Sequence, residues 1–177
     1  MHINRLGVAA MLLLGACQQQ GSSASAPAPV TNDDQQVVAK IVATDYAQRY
    51  SADACVAPRT TGRKGPQEIS PTAEKNGPTW TYPARSSNNE YQMVSPGVAT
   101  MLSKAWEQAR SGDYPAITLS DMPQPASCAK TLTLTSPMVV QDLAFVGWSD
   151  GTNRRTVVAQ KKASGWVVVA EGPARIG

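Results

Sequence analysis

Apolar and polar positions divide the chain into three regimes. From Leu6 to Ala16 the residues are apolar or small without interruption. Two later stretches repeat at helical spacing, and from Lys130 onward the period becomes that of strands. The first helical stretch, TNDDQQVVAKIVATDYAQRY, places Val38, Ile41, Val42, Asp45, Tyr46 and Arg49 on one face, apolar except at Asp45 and Arg49. Asn32 or Asp33 can cap it, with Gln35 or Gln36 three residues on closing a capping box. Asp33 and Asp34 suit the positive end of the helix dipole. The helix is expected to end near Ser51, and Asp45 with Arg49 reads as a surface ion pair at i, i+4. In the second stretch, SPGVATMLSKAWEQARSG, Ser95 is the expected cap and Pro96 the first-turn residue. Val98, Met101, Leu102, Ala105, Trp106 and Ala109 form its apolar stripe. Arg110 lies near the negative end, and Gly112 is the expected stop.

The last third holds four runs rich in β-branched residues: Lys130 to Thr135, Met138 to Trp148, Thr152 to Lys162 and Trp166 to Glu171. Ser136-Pro137, Asp150-Gly151 and Ser164-Gly165 separate them, and Asp-Gly between such runs signals a hairpin. These patterns predict an α+β fold, with amino-terminal helices covering one face of a C-terminal antiparallel β-meander. Between Val56 and Met93 there is no sustained period, many Pro and Gly residues, and the side chains of Arg59, Arg63, Lys64, Trp80, Tyr82 and Tyr91. Low order is expected there, with TWTYP as a short strand.

The amino end has its own logic. Met1 to Arg5 carries one positive side chain, Arg5. The apolar run after it is too short to span a bilayer, which needs about 20 residues, and has the length of a signal-peptide core. It ends in Leu14-Gly15-Ala16-Cys17, followed at once by Gln18-Gln19-Gln20 and a Ser/Ala/Pro tract. This arrangement resembles bacterial lipoprotein precursors, whose lipobox reads Leu, a small residue, Gly or Ala, then Cys. Gly15 is a less usual second residue, and the other three match. The resemblance implies that the Cys17 sulfur is lipidated, that the chain is cut before it, and that the new amino group is acylated. A thiolate is the nucleophile such a transfer requires. The implied organisation is a signal peptide over 1–16, a flexible tether over 17–32 and one globular α+β domain over 33–177. Membrane lipid is then a partner through Cys17. Gln18, where Asp would favour retention at the inner membrane, points by the same resemblance to the outer membrane, facing the periplasm.

Composition narrows the chemistry. The formal net charge is +3, one unit of which leaves with Arg5. The basic residues are scattered apart from Arg63-Lys64, Arg154-Arg155 and Lys161-Lys162, which read as solvated turns and strand edges. Nucleic-acid binding would need a concentrated basic face. Once Cys17 carries lipid, Cys55 and Cys128 remain, and in an oxidising compartment they are expected to form one disulfide. The single histidine, His2, lies in the signal segment. A mature chain without histidine excludes a Ser-His-Asp triad, a Cys-His pair and a His-based zinc site. No Gly-rich phosphate loop, metal-ligand cluster or cofactor fingerprint occurs, so no cofactor or metal is expected. Asp150 and Asn153 in SDGTN read as turn residues. The candidate catalytic group is Asp142, within VVQDLAFVGW. Alternation puts it on one face with Val140, Ala144, Val146 and Trp148, and an inward carboxyl there would be pushed upward in pKa by burial.

A capped helix, a Ser95-Pro96 helix and a closing meander whose last strand begins Gly165-Trp166-Val167-Val168 are similar in outline to the nuclear-transport-factor-2-like superfamily. The similarity runs from about Asn32 to Ala170. It implies a cone whose curved sheet and helices enclose a pocket, used in that superfamily for catalysis, ligand binding or partner binding; fold alone does not choose. The leading expectation is a non-enzymatic envelope lipoprotein, a binding or accessory module for a protein or peptidoglycan partner, in inhibition, immunity or assembly. The alternative is a small enzyme of the isomerase or dehydratase type, with Asp142 as base and Tyr46 as hydrogen-bond donor.

Overall fold

The computed structural model describes residues 31–64, 79–83, 92–122 and 124–172, and the backbone of 175–176. The expected signal segment, Cys17 and nearly all of the expected tether lie outside the described residues, as do Tyr91 and much of the aperiodic stretch.

Helix α1 spans Asn32–Arg49. Its cap is Thr31, one residue ahead of the expected Asn32, and the Thr31 hydroxyl accepts from the Asp34 N–H at 3.3 Å. Asn32 is thus helical rather than tether. Gln35 and Gln36 close no capping box. Their side chains instead donate to the carbonyls of Pro137 (3.2 Å) and Thr118, fastening the helix to two loops. Val38, Ala39, Val42, Ala43 and Tyr46 make the buried stripe. Helix α2 spans Pro96–Arg110. Ser95 caps it through its extended backbone only, with no side-chain bond, and its carbonyl accepts from the Ala99 N–H at 2.9 Å. Leu102 and Ala109 are buried as expected, but Met101, at the edge of the stripe, is 46% exposed.

The strands are β1 (Ala54–Val56), β2 (Lys130–Leu134), β3 (Met138–Val140), β4 (Leu143–Ser149), β5 (Asn153–Lys162), β6 (Gly165–Glu171) and β7 (Arg175–Ile176). They form one mixed sheet in the order β1-β2-β4-β5-β6, with β3 on β4 and β7 on β5. The expected meander runs from β4 to β6, with glycines of positive φ at its turns, Gly151 (87°) and Gly165 (111°). The only parallel pairing among the described strands is β1 with β2. Cys55 on β1 and Cys128 just before β2 are disulfide-bonded, with their Cα atoms 5.2 Å apart.

Two sequence expectations change. The run Met138 to Trp148 is a hairpin rather than one strand: Val140 pairs with Leu143 across Gln141-Asp142, where Gln141 takes a φ of 56°. β2 and β3 lie end to end on one edge of β4, and Thr135 carries the ladder across the gap. Its N–H donates to the Gly147 carbonyl and its hydroxyl accepts from the Gly147 N–H, both at 2.8 Å. A Cβ on Gly147 would come within 2.9 Å of the Thr135 methyl, so this approach needs glycine.

The helices also take opposite faces of the sheet. Val38, Val42 and Tyr46 of α1 pack on Leu132, Leu134, Ala144, Val146, Trp148, Val157 and Ala159. Leu102 and Ala109 of α2 pack with Met138, Val140, Leu143, Phe145 and Val158. Successive residues of β4 therefore bury on alternate sides, which is why that strand is apolar almost throughout. Each fully buried Val, Leu or Phe here contributes about 1.5–3 kcal/mol.

The described parts of the aperiodic stretch are tied down rather than loosely ordered. Thr61 donates to the Leu134 carbonyl (2.8 Å) and accepts from the Ser136 N–H (2.9 Å), extending the β1 edge. Trp80 is buried, and its indole N–H donates to Ser103 of α2 at 3.1 Å. Thr81 exchanges two 2.9 Å backbone bonds with Glu171, so TWTYP contributes a bridge on β6 instead of a full strand.

Candidate functional site

Asp142 does not enter the interior. The tight turn between β3 and β4 interrupts the alternation that would have turned it inward, and the residue is exposed. Its carboxylate accepts from the Gln160 amide at 2.8 Å and its carbonyl from the Lys161 N–H at 2.8 Å. These are the contacts of a turn residue on a sheet edge, and Asp142 is not a pocket carboxylate.

The buried carboxylate belongs to Glu171, which is 0% exposed. A bulge places it. Val158 pairs with Ala170 and Ala159 with Val168, leaving Val169 as an extra residue on β6. That extra residue shifts the alternation by one and turns Glu171 onto the face covered by α1. There it meets the carboxyl end of the helix. Arg49 pairs with Oε1, Arg155 of β5 with Oε2 (3.2 Å), and the Tyr50 hydroxyl donates to both oxygens at 3.2 and 3.1 Å. Arg49 is also paired with Asp45, as expected, although at 14% and 20% exposure this is a half-sunken pair rather than a surface one. Burial pushes the Asp45 carboxyl up, and the hydrogen bond from Arg49 opposes the shift without cancelling it. For Arg49, burial favours the neutral form, but the bonds to Asp45 and Glu171 outweigh it and hold the guanidinium charged.

An aromatic group adjoins the ion cluster. Tyr46 and Trp148 meet edge to face with centroids 4.9 Å apart, and Tyr50 lies 5.1 Å from Trp148. The guanidinium carbons of Arg49 and Arg155 are 5.0 and 5.6 Å from the centre of the Tyr50 ring. Tyr50 itself is 37% exposed, so the cluster reaches the surface as a tyrosine held between two arginines.

Asp150 sits beside this group, and its reading as a turn residue is right but incomplete. It accepts from the backbone N–H groups of Asn153 (2.7 Å) and Thr152 (3.0 Å), and also from the buried Tyr46 hydroxyl (2.9 Å) and Lys130 (3.2 Å). Burial alone would raise its pKa. The four donors outweigh burial and hold the carboxyl below the usual carboxylate range. Tyr46 is shifted upward by burial and by Asp150, and Tyr50 by burial and by Glu171. Both stay protonated donors at neutral pH.

The basic pairs divide in the same way. Arg155 is turned into the cluster, and Arg63 is half-buried, so neither pair is wholly a solvated edge. Lys161 reaches Asp34 at 3.0 Å, beside the Trp166 indole that donates to the same carboxylate. Among the described residues no three His, Cys, Asp or Glu side chains group to hold a metal ion, and no helix is long and apolar enough to cross a membrane.

Sequence reasoning missed Glu171 and Arg155. The one clue lay in Asp45 and Arg49, two charged positions on an otherwise apolar helix face, which mark where buried charge sits but not which residues complete it. Chemically the site holds acids and bases that neutralise one another and a tyrosine whose hydroxyl is turned inward while part of its side chain stays exposed. Comparison with family models, with curated proteins and with solved structures finds no match for this chain.

Proposed function

We propose that the protein is a bacterial envelope lipoprotein that works as a non-enzymatic binding or accessory module, anchored through acylated Cys17 at the outer membrane and facing the periplasm. The observation that carries the binding reading is the ion network at the carboxyl end of α1. Both oxygens of Glu171 are taken by Arg49, Arg155 and Tyr50, while the ring of Tyr50 remains at the surface between the two guanidinium groups. Tyrosine and arginine together are the side chains that most often anchor a protein interface. A carboxylate committed on both oxygens is poorly placed to take a proton from a substrate. The isomerase alternative loses Asp142 to the solvent and has no other observation in its favour. The Cys55–Cys128 disulfide agrees with an oxidising compartment, and the lipobox residues Leu14 to Cys17 supply the anchor. The partner on this reading is a protein or peptidoglycan segment offering a carboxylate or an aromatic edge to Tyr50.

Two measurements test this. Full-length protein cross-linked in cells should capture one envelope partner in stoichiometric amount, and Tyr50→Ala should lose it while keeping its circular dichroism. Equal capture by Tyr50→Ala, or none by the unaltered chain, refutes the binding surface. Cys17→Ser should leave the membrane fraction with its precursor uncleaved. Normal processing and retention of that variant would end the lipoprotein reading.

A further inference from the structure

Among the described residues three buried side-chain donors have no acceptor: the Nε atoms of Arg63 and Arg110, and Nε1 of Trp148. Two of these three belong to arginines that the fold brings to one place. Arg63 exchanges backbone bonds of 2.7 and 2.8 Å with Tyr114, and Tyr114 follows α2 directly, four residues after Arg110. The Tyr114 ring folds back over Gly112, where a Cβ would come within 2.9 Å of its hydroxyl oxygen. Arg63, Arg110 and the Tyr114 hydroxyl therefore share the carboxyl end of α2. The guanidinium of Arg110 lies 5.9 Å from the centre of the Trp106 ring, and among the described residues its ion pair is with Glu107 at 3.0 Å. Glu107 is 66% exposed and stands on the helix surface. Arg63 has no carboxylate partner among the described residues, and the charge of Arg110 bears on it unfavourably, in the same sense as its burial.

Native folds seldom keep two like charges together over donors that nothing satisfies, because both terms oppose folding. Here, among the described residues, no acceptor reaches either buried Nε–H, while both side chains keep some contact with solvent: Arg110 is 20% exposed and Arg63 is only half-buried. We propose that Arg63 and Arg110, with the Tyr114 hydroxyl, bind a phosphate-class oxyanion at the carboxyl end of α2. A planar carboxylate offers two oxygens in one plane. A phosphate group offers three or more around a tetrahedron, enough to meet two guanidinium groups and a hydroxyl, and its charge matches the pair. The helix dipole at this end does not favour an anion, so the arginines must carry the affinity. The source is free phosphate or the phosphate of a lipid headgroup.

The test uses the full chain carrying Cys17→Ser, titrated with inorganic phosphate at low ionic strength by calorimetry and by intrinsic tryptophan fluorescence. One phosphate per chain is expected, with affinity falling at least about tenfold in Arg63→Gln and in Arg110→Gln. Arg59→Gln and Lys64→Gln should bind as before. A second reading needs no binding assay: without phosphate, Arg63→Gln should melt at or above the temperature of the parent, and phosphate should raise the melting temperature of the parent alone. Absence of saturable phosphate binding overturns the proposal, as does equal affinity in Arg63→Gln or a lower melting temperature for that variant in phosphate-free buffer. A third arm finds the source. Sedimentation with phosphatidylglycerol vesicles that Arg63→Gln abolishes and inorganic phosphate competes away assigns the headgroup. Phosphate binding without vesicle retention assigns the free anion.

Discussion

The Glu171 cluster makes a prediction whose size follows from its contacts. Glu171→Gln conserves the volume of the side chain, so no cavity term enters. What changes is charge. Two guanidinium groups and a tyrosine hydroxyl converge on a carboxylate that is 0% exposed. A neutral amide can still accept on its oxygen. Its NH2 group, however, must face either Arg49 or Arg155, donor against donor. Hydrogen bonds to a charged group are worth about 1.5–3 kcal/mol each, but they are not additive, and Arg49 keeps Asp45 as a partner. Removing one member of a buried pair costs about 3–5 kcal/mol. The retained Asp45 contact puts the expected loss at the low end, about 3 kcal/mol.

The assay is urea denaturation of the oxidised protein, followed by tryptophan fluorescence, with the slope m checked for constancy. For a chain of this size a loss of about 3 kcal/mol lowers the melting temperature by about 6–12 °C. The effect should persist in high salt, because buried pairs are screened far less than exposed ones. A loss below about 1 kcal/mol at unchanged m would refute the reasoning, since it would mean that Glu171 is hydrated or that its partners leave it without cost.

Other expectations can be checked on the same preparations. Asp142→Asn, on an exposed turn, should change stability by no more than about 0.5 kcal/mol; a loss like that of Glu171→Gln would restore it to the interior. Asp150 is held below the usual carboxylate range, so its contribution is full above the unfolded value of about 3.9 and is lost as pH falls through the folded value. Asp150→Asn should therefore cost about 1–2 kcal/mol at neutral pH and flatten the acid limb of the stability curve below about pH 4; an unchanged limb counts against the assignment. Replacing both Cys55 and Cys128 by Ser opens a loop with a sequence separation of 73 residues and should cost about 4 kcal/mol by the chain-entropy account. Two reactive thiols in the denatured, unreduced chain would show that the bridge is absent from the isolated protein.

What was legible in the chain was local. The two helices, the Asp-Gly and Ser-Gly turns and the pairing of the two remaining cysteines rest on residues a few positions apart, or on elimination, and the structure reproduces them. Which face a strand residue takes is also local in principle, but it fails abruptly. A period of two carries no memory of an interruption, so one irregular residue inverts every side chain beyond it. This happens twice here. The alternation through VVQDLAFVGW is broken by a turn at Gln141-Asp142, where Gln141 takes a left-handed φ that composition does not announce. The alternation through WVVVAE is broken by the extra Val169. The first break sends Asp142 to solvent, and the second moves Glu171 onto the face covered by α1. The helices suffer a related ambiguity. A β4 apolar on nearly every residue fits a sheet covered on both faces better than one with a solvated side, and that pattern already argued against placing α1 and α2 together. The remaining clue lay on α1, where Asp45 and Arg49 interrupt an apolar face. Their charges are equal and opposite, so as a pair they ask for nothing further. Only the bulge in β6, which turns Glu171 toward the end of α1, brings a second carboxylate within reach of the Arg49 guanidinium and the Tyr50 hydroxyl. The site is thus assembled where two ordinary ion-pair signals meet a bulge, and the bulge decides which acid completes it.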